Sequence, residues 1–225
     1  MIHVLVICDD LWHPGEIVVR GVDALDAPDM DFDVVMDAKD SLHAADLDRY
    51  QVIMNCKCNN ITAANTAPWF DPGVTEVGPA ELENYVRQGG GFLSVHSGNA
   101  FYRDNDCPAY IAFVGNYFVQ HPPRCDVQVT PEPGHPITRD IQPFTIRDEH
   151  YEIKTVAEDI TPILYTCSAA GGRQLGGYVR EMGRGRLCVL TPGHTFSVWR
   201  NGDYQQLLRQ AIRWCAGQDG EAESR

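Results

Sequence analysis

Residues 2–25 read IHVLVICDDLWHPGEIVVRGVDAL, and this stretch decides the fold class. Ile2 to Cys8 is an almost continuous apolar and β-branched run, the composition of a strand covered on both faces in a parallel sheet. A polar loop follows, Asp9 to Pro14. Glu16 to Leu25 then places Val18, Val19, Val22 and Leu25 at helical spacing, with Pro14 and Gly15 at the helix start. The chain therefore opens strand, loop, helix, the unit from which doubly wound α/β sheets are built.

Working outward, Phe32–Met36, Gln51–Asn55 and Phe92–His96 read as further strands, with a helical turn at Leu42–Leu47 and a helix at Pro79–Gln88 stopped by three glycines. Shorter strands are expected at Asp126–Thr130, Glu149–Ile153 and Ile163–Cys167. Leu175–Glu181 and Arg186–Thr191 form a hairpin about Gly183–Gly185. A last helix spans Asp203–Ala216, with Leu207, Leu208, Ala211, Ile212 and Cys215 on one stripe. The whole predicts one α/β domain over residues 1–217, flavodoxin-like, with a mostly parallel sheet, helices on both faces and a polar tail at 218–225. Cys56 to Gly78 has no periodicity and is read as a lid or pocket wall.

Composition excludes several classes of partner. A formal charge of −13, with 18 lysines and arginines in no basic block, gives nothing for a nucleic-acid backbone or an anionic membrane to bind. No apolar run reaches the roughly 18 residues of a membrane span, and the eight scattered cysteines read as buried hydrophobes of a reducing compartment, so a cytoplasmic protein is expected. Gly89–Gly91 precedes a strand instead of opening a helix, so no nucleotide phosphate cradle is expected.

In open parallel sheets ligands bind outside the carboxyl ends of the strands. That edge here receives Asp10, Trp12 and His13 after the first strand, Asn55 and Cys56-Lys57-Cys58 after the third, His96 and Ser97 after the fourth, and His194 after Thr191. His121 and His150 lie in polar settings nearby in sequence. Imidazole is the commonest transition-metal ligand, and a catalytic zinc site needs only three protein ligands. His121, His150 and His194 are the metal candidates, for a divalent ion such as zinc or manganese. No HExxH or paired CxxC pattern is present, so spacing alone does not define a site.

Asp148-Glu149-His150-Tyr151 supplies acid–base candidates; if extended, Asp148 and His150 share one face and Glu149 and Tyr151 the other, which favours Asp148 as base. Ser94–Gly98 has the strand-turn-helix context of a nucleophile elbow with His96 at its apex, where no thiolate or serine chemistry is available. Trp12, Trp69, Tyr102 and Trp199 are loop aromatics suited to stacking on sugar rings, with Asp10 and His13 as polar partners. Tyr117–Val119 is a short apolar stretch suited to a homo-oligomer contact or to buried packing.

The blocks VLVICDDLWHP, YVRQGGGFLSVHSGNAFY, FVQHP, GHPI, DEHY, GGYVREMGRGRLCVLTPGHT and LLRQAIRWCAG together resemble the ThuA-like family, in order from Val4 to Gly217. The resemblance implies a class I glutamine amidotransferase-like fold without the catalytic cysteine, a role in the catabolism of trehalose and related sugars, and a partner dehydrogenase that makes 3-keto sugars. It carries over to His96, His121, Asp148, Glu149, His150 and His194, and leaves Cys56 and Cys58 without a role. Two functions follow as expectations. One is a metal-assisted enzyme that isomerises or hydrolyses a trehalose-like disaccharide or its 3-keto derivative, with His96, Asp148 and Glu149 catalytic. The other is a non-catalytic sugar-binding or regulatory protein on the same scaffold.

Overall fold

The computed structural model describes residues 1–36, 42–59, 68–71, 74–104 and 107–218. Its centre is a nine-stranded sheet. In chain order the strands of that sheet are β1 (Ile2–Cys8), β2 (Met30–Val35), β3 (Val52–Cys56), β4 (Gly91–Val95), β6 (Cys125–Pro131), β7 (Phe144–Asp148), β9 (Thr161–Ser168), β10 (Gly172–Met182) and β11 (Gly185–Leu190), while β5 (Asn116–Gln120) and β8 (Glu152–Thr155) form a separate antiparallel pair. The spatial order is β2-β1-β3-β4-β11-β10-β9-β6-β7. β2, β1, β3, β4 and β11 run parallel in register, which is the flavodoxin-like half. From β11 onward every pairing is antiparallel.

Helices cover both faces, as the apolar composition of β1 requires. Val4 and Val6 pack with Val18 and Val22 of α1 (Gly15–Asp23) and with Leu207, Leu208 and Ala211 of α4 (Gly202–Cys215). Leu5 and Ile7 face the other way, against Leu82 and Val86 of α2 (Pro79–Arg87) and Tyr110 and Phe113 of α3 (Pro108–Val114). The period-2 alternation of one strand thus feeds two cores. Caps set the helix limits: Asn201 accepts the Tyr204 N–H at 3.0 Å, Glu81 reaches back to the Gly78 N–H at 3.0 Å, and α2 is followed by Gly89 at φ +120°.

Two readings of the sequence change. α3 is apolar on every side, so no helical stripe marked it, and Gly115 at φ +94° stops it. The strand placed at Glu149–Ile153 is two: β7 ends at Asp148, and β8 begins at Glu152 and pairs with β5. Tyr117–Val119 is the middle of β5, with Phe118 buried and Tyr117 and Val119 half-buried. Of the Cys56–Gly78 segment, residues 60–67 and 72–73 lie outside the described residues, as does the tail beyond Gln218. Trp69 in that segment is buried and stacks on Phe70 at 4.5 Å.

Two features place the site. β7 runs in the same direction as β11, and its last residue reaches the loop after β11: Asp148 accepts the backbone N–H groups of Gly193 (2.8 Å) and His194 (3.1 Å). β4 ends in a tight 3-10 turn, His96–Asn99, with His96 at φ +45°. A non-glycine residue in the left-handed region is held there by its surroundings. Gly98 allows the turn, since a Cβ at that position would fall 2.3 Å from the Asn55 carbonyl oxygen.

Candidate active site

At the carboxyl ends of the parallel strands lies a pocket of about 570 Å³, whose wall includes Trp12, His13, Tyr102, His121, Glu149, Tyr151 and His194. Its floor is a convergence of donor atoms. His96 Nε2 is 3.2 Å from His194 Nδ1 and 3.5 Å from Glu149 Oε2, and His194 Nδ1 is 3.2 Å from the same Glu149 oxygen. Ligand atoms of His13, His96, Glu149 and His194 all lie within 4.8 Å of one another.

Each imidazole is oriented from behind. His96 donates Nδ1–H to the Thr191 carbonyl at 2.8 Å, which leaves its Nε2 lone pair facing the floor. His13 donates Nδ1–H to Asp10 at 2.7 Å, and its Nε2 accepts the Tyr151 hydroxyl at 3.3 Å. His194 is fixed through its backbone by Asp148. These carboxylate and carbonyl partners are the supports that set tautomer and ring angle around metal-binding histidines.

Asp10 itself is fully engaged. It accepts from the backbone N–H groups of Trp12, His13 and Cys58 as well as from the His13 ring. Burial opposes its charge, but those donors, His13 first, outweigh burial and hold its pKa at about 2. Asp10, His13 and Cys58 also cluster within 4.8 Å, with the Asp10 carboxylate saturated as the anchor of the loop.

Burial lowers the His96 pKa despite the hydrogen bond with Glu149. Burial pushes Glu149 up, but the His194 and His96 imidazoles beside it dominate and leave its carboxyl well below the usual carboxylate range. Burial raises Asp148, and burial holds the Tyr151 phenol well above its ordinary value, so it remains a donor.

The residues singled out from the sequence divide in two. His13, His96, Glu149 and His194 meet on the floor; His121 stands at the rim, its Nε2 3.6 Å from Glu149 Oε2; Trp12 and Tyr102 line the mouth. His150 is not with them. It is 2% exposed, with Nδ1 on Ser168 (2.7 Å) and Nε2 on Thr166 (3.0 Å), because it shares the strand face of Asp148 and turns away from the pocket. The alternation of Asp148-Glu149-His150-Tyr151 holds, but the face that meets the pocket is that of Glu149 and Tyr151. Asp148 is therefore an anchor of the Gly193–His194 backbone in place of a pocket base. Trp199 is 1% exposed, packs against Gly21 and donates its ring N–H to the Gly193 carbonyl at 2.8 Å, so it is core and presents no stacking surface. Missed from the sequence was Arg124, which lines the mouth; Tyr151, named there within the acid–base segment, adjoins His13.

The donor set fits a divalent cation. Atoms bound about 2.0–2.1 Å from a tetrahedral ion stand about 3.3–3.4 Å from each other. The His96, His194 and Glu149 triangle has edges of 3.2, 3.2 and 3.5 Å. Two imidazoles and one carboxylate with a further position for water or substrate is a known catalytic arrangement.

Fold and site together define an α/β protein of flavodoxin-like architecture, with an imidazole-carboxylate pocket at the carboxyl ends of its parallel strands. The sequence matches the family model ThuA, described as trehalose utilisation, over residues 14–215, and the chain belongs to that family. No curated protein matches it. Among solved structures, a ThuA-like protein from Bacteroides uniformis ATCC 8492 is 18% identical with a TM-score of 0.70, covering 95% of this chain and 91% of that one. A ThuA-like protein from Parabacteroides merdae ATCC 43184 is 15% identical with a TM-score of 0.72, covering 96% and 90%. The β-galactosidase of Bacillus circulans sp. alkalophilus is 14% identical with a TM-score of 0.65, and only 31% of its chain is covered, so the shared fold is one part of that protein. No helix among the described residues is long and apolar enough to cross a membrane.

Proposed function

We propose that this protein is a metal-assisted enzyme of sugar catabolism, acting on a trehalose-like disaccharide or its 3-keto derivative. The observation that carries the reading is the His96–His194–Glu149 triangle, with His13 beside it, on the floor of a sugar-sized pocket. His96 Nε2, His194 Nδ1 and Glu149 Oε2 are the atoms that would hold a divalent ion such as zinc or manganese, with His13 Nε2 beside them. When bound, the ion polarises a carbonyl or hydroxyl oxygen and offsets negative charge that develops on it.

The chain's own residues then handle the proton. His121 donates Nδ1–H to the Pro122 carbonyl at 2.8 Å, so its Nε2 is the basic nitrogen and faces the pocket. His121 Nε2, which takes the proton from the carbon beside the carbonyl, stands 3.6 Å from Glu149 Oε2, and that carboxylate stabilises the imidazolium formed. Tyr151 keeps its proton and orients His13. Return of the proton to the former carbonyl carbon, as the hydroxyl proton passes between the two adjacent oxygens, completes an isomerisation; expulsion of the glycosidic oxygen, which takes up the proton as its C–O bond breaks, completes a cleavage by elimination.

The keto sugar comes from a sugar dehydrogenase working before this enzyme. The eight cysteines are free thiols, which accords with a cytoplasmic setting. The test is turnover of 3-keto-trehalose followed by proton NMR in D₂O. Deuterium appearing beside the carbonyl, or glucose release, that stops on chelation and is lost in His121→Ala supports the reading. Ligand binding with neither exchange nor cleavage in the metal-loaded protein assigns the chain to sugar binding alone.

A further inference from the structure

The mouth of the pocket carries features that the floor chemistry does not use. Trp12 is 66% exposed and Tyr102 50% exposed, and both line the same pocket. Large aromatics left in water at a cavity rim forgo the burial that ordinarily stabilises them. Both are nonetheless held in place. The Trp12 N–H is bonded to Asp10 Oδ1 at 2.9 Å, the same oxygen that orients His13, so the indole's backbone is locked to the loop that supplies the floor. Tyr102 stands edge-on to the buried Phe118 ring at 5.2 Å and its backbone bridges to that residue. Arg124 completes this rim, with no ion pair or hydrogen bond among the described residues although the chain carries a formal charge of −13.

We propose that this rim is a subsite for the second pyranose ring of a disaccharide, which rests on reading the pocket as a sugar site. The reacting ring occupies the imidazole floor. The outer ring lies with its C–H face on Trp12 or Tyr102, while the Arg124 guanidinium, a planar fork of donors, engages its ring hydroxyls. A pocket of about 570 Å³ has room for both rings. Selectivity for disaccharide over monosaccharide is then set by Trp12, Tyr102 and Arg124, and lies apart from the atoms that hold the ion.

The four tryptophans make the test specific, because Trp69, Trp199 and Trp214 are buried and Trp12 alone is open to solvent. Acrylamide quenching is measured with trehalose, maltose and sucrose against glucose, on the full chain as purified and after chelation. The proposal expects at least one disaccharide to shield Trp12 in both preparations, while glucose at equal concentration does not. By calorimetry, Trp12→Ala, Tyr102→Ala and Arg124→Ala each weaken that disaccharide about tenfold and leave glucose within twofold. Equal shielding by glucose, no shielding by any disaccharide, or unchanged disaccharide affinity in all three variants overturns it. Failure of the metal reading shows separately, as shielding that persists in a protein that binds no ion.

Discussion

Glu149 Oε2 stands 3.2 Å from His194 Nδ1, and Asp148, one residue earlier on the opposite face, holds the backbone of that same histidine at 3.1 Å. One strand end therefore both supplies a floor ligand and positions its neighbour. Asp148→Asn turns an acceptor of two backbone N–H groups into a group that also presents its own donor to them. The expected result is a loss of roughly 1–3 kcal/mol in stability and about a tenfold loss in metal affinity, read by denaturant unfolding and zinc titration. A variant that unfolds less stably yet binds zinc as tightly as wild type limits Asp148 to folding.

His150→Ala separates the two halves of the Asp148–Tyr151 segment in the same way. Among the described residues His150 bonds Ser168 and Thr166, so truncation removes one partner from each hydroxyl, Ser168 keeping the Gly171 N–H, and costs roughly 1–3 kcal/mol. Metal content is expected to stay at the wild-type level, in contrast to His194→Ala. Loss of the ion in His150→Ala would return this residue to the ligand set.

Acid stability reports on Asp10. Its carboxyl titrates at about 2 in the folded chain, against an ordinary value of 3.8. A depressed carboxylate contributes stability that is complete above the unfolded value and disappears as pH falls through the folded one. The contribution is on the order of 2 kcal/mol, from roughly 1.36 kcal/mol per pH unit. Wild type should therefore lose stability between about pH 4 and pH 2 more steeply than Asp10→Asn, whose unfolding free energy is lower at neutral pH and flatter in that window. Parallel pH curves for the two proteins would contradict the assignment.

Trp199→Ala tests the removal of this residue from the sugar site. A buried indole replaced by a methyl group costs about 3–5 kcal/mol, and Gly21→Ala is expected to destabilise too, since its Cβ would lie 2.4 Å from the indole. Sugar affinity of the folded fraction, measured by calorimetry at low temperature, should be unchanged in Trp199→Phe.

The parallel half of the fold was legible because β1 and its helix carry unbroken patterns: an apolar strand that must be covered twice, then a helical stripe with its proline. The strand-end rule likewise brought His13, His96 and His194 to one edge. α3 gave no signal because an all-apolar helix has no polar face to contrast with. The placement of His150 and Asp148 was out of reach for a different reason. Alternation fixes which residues share a face, but choosing the face that meets the pocket depends on β7 reaching the Gly193–His194 loop from the far end of the sheet, a contact with no local trace in the sequence.

Elemental analysis of the purified protein, with His96→Ala, His194→Ala and Glu149→Gln alongside, tests the central claim most directly. The account predicts about one divalent ion per chain in wild type, retained through dialysis, and its loss in each of the three variants while their circular dichroism stays that of wild type. A folded wild-type protein that takes up no zinc or manganese when titrated, or variants that keep the ion, would contradict it.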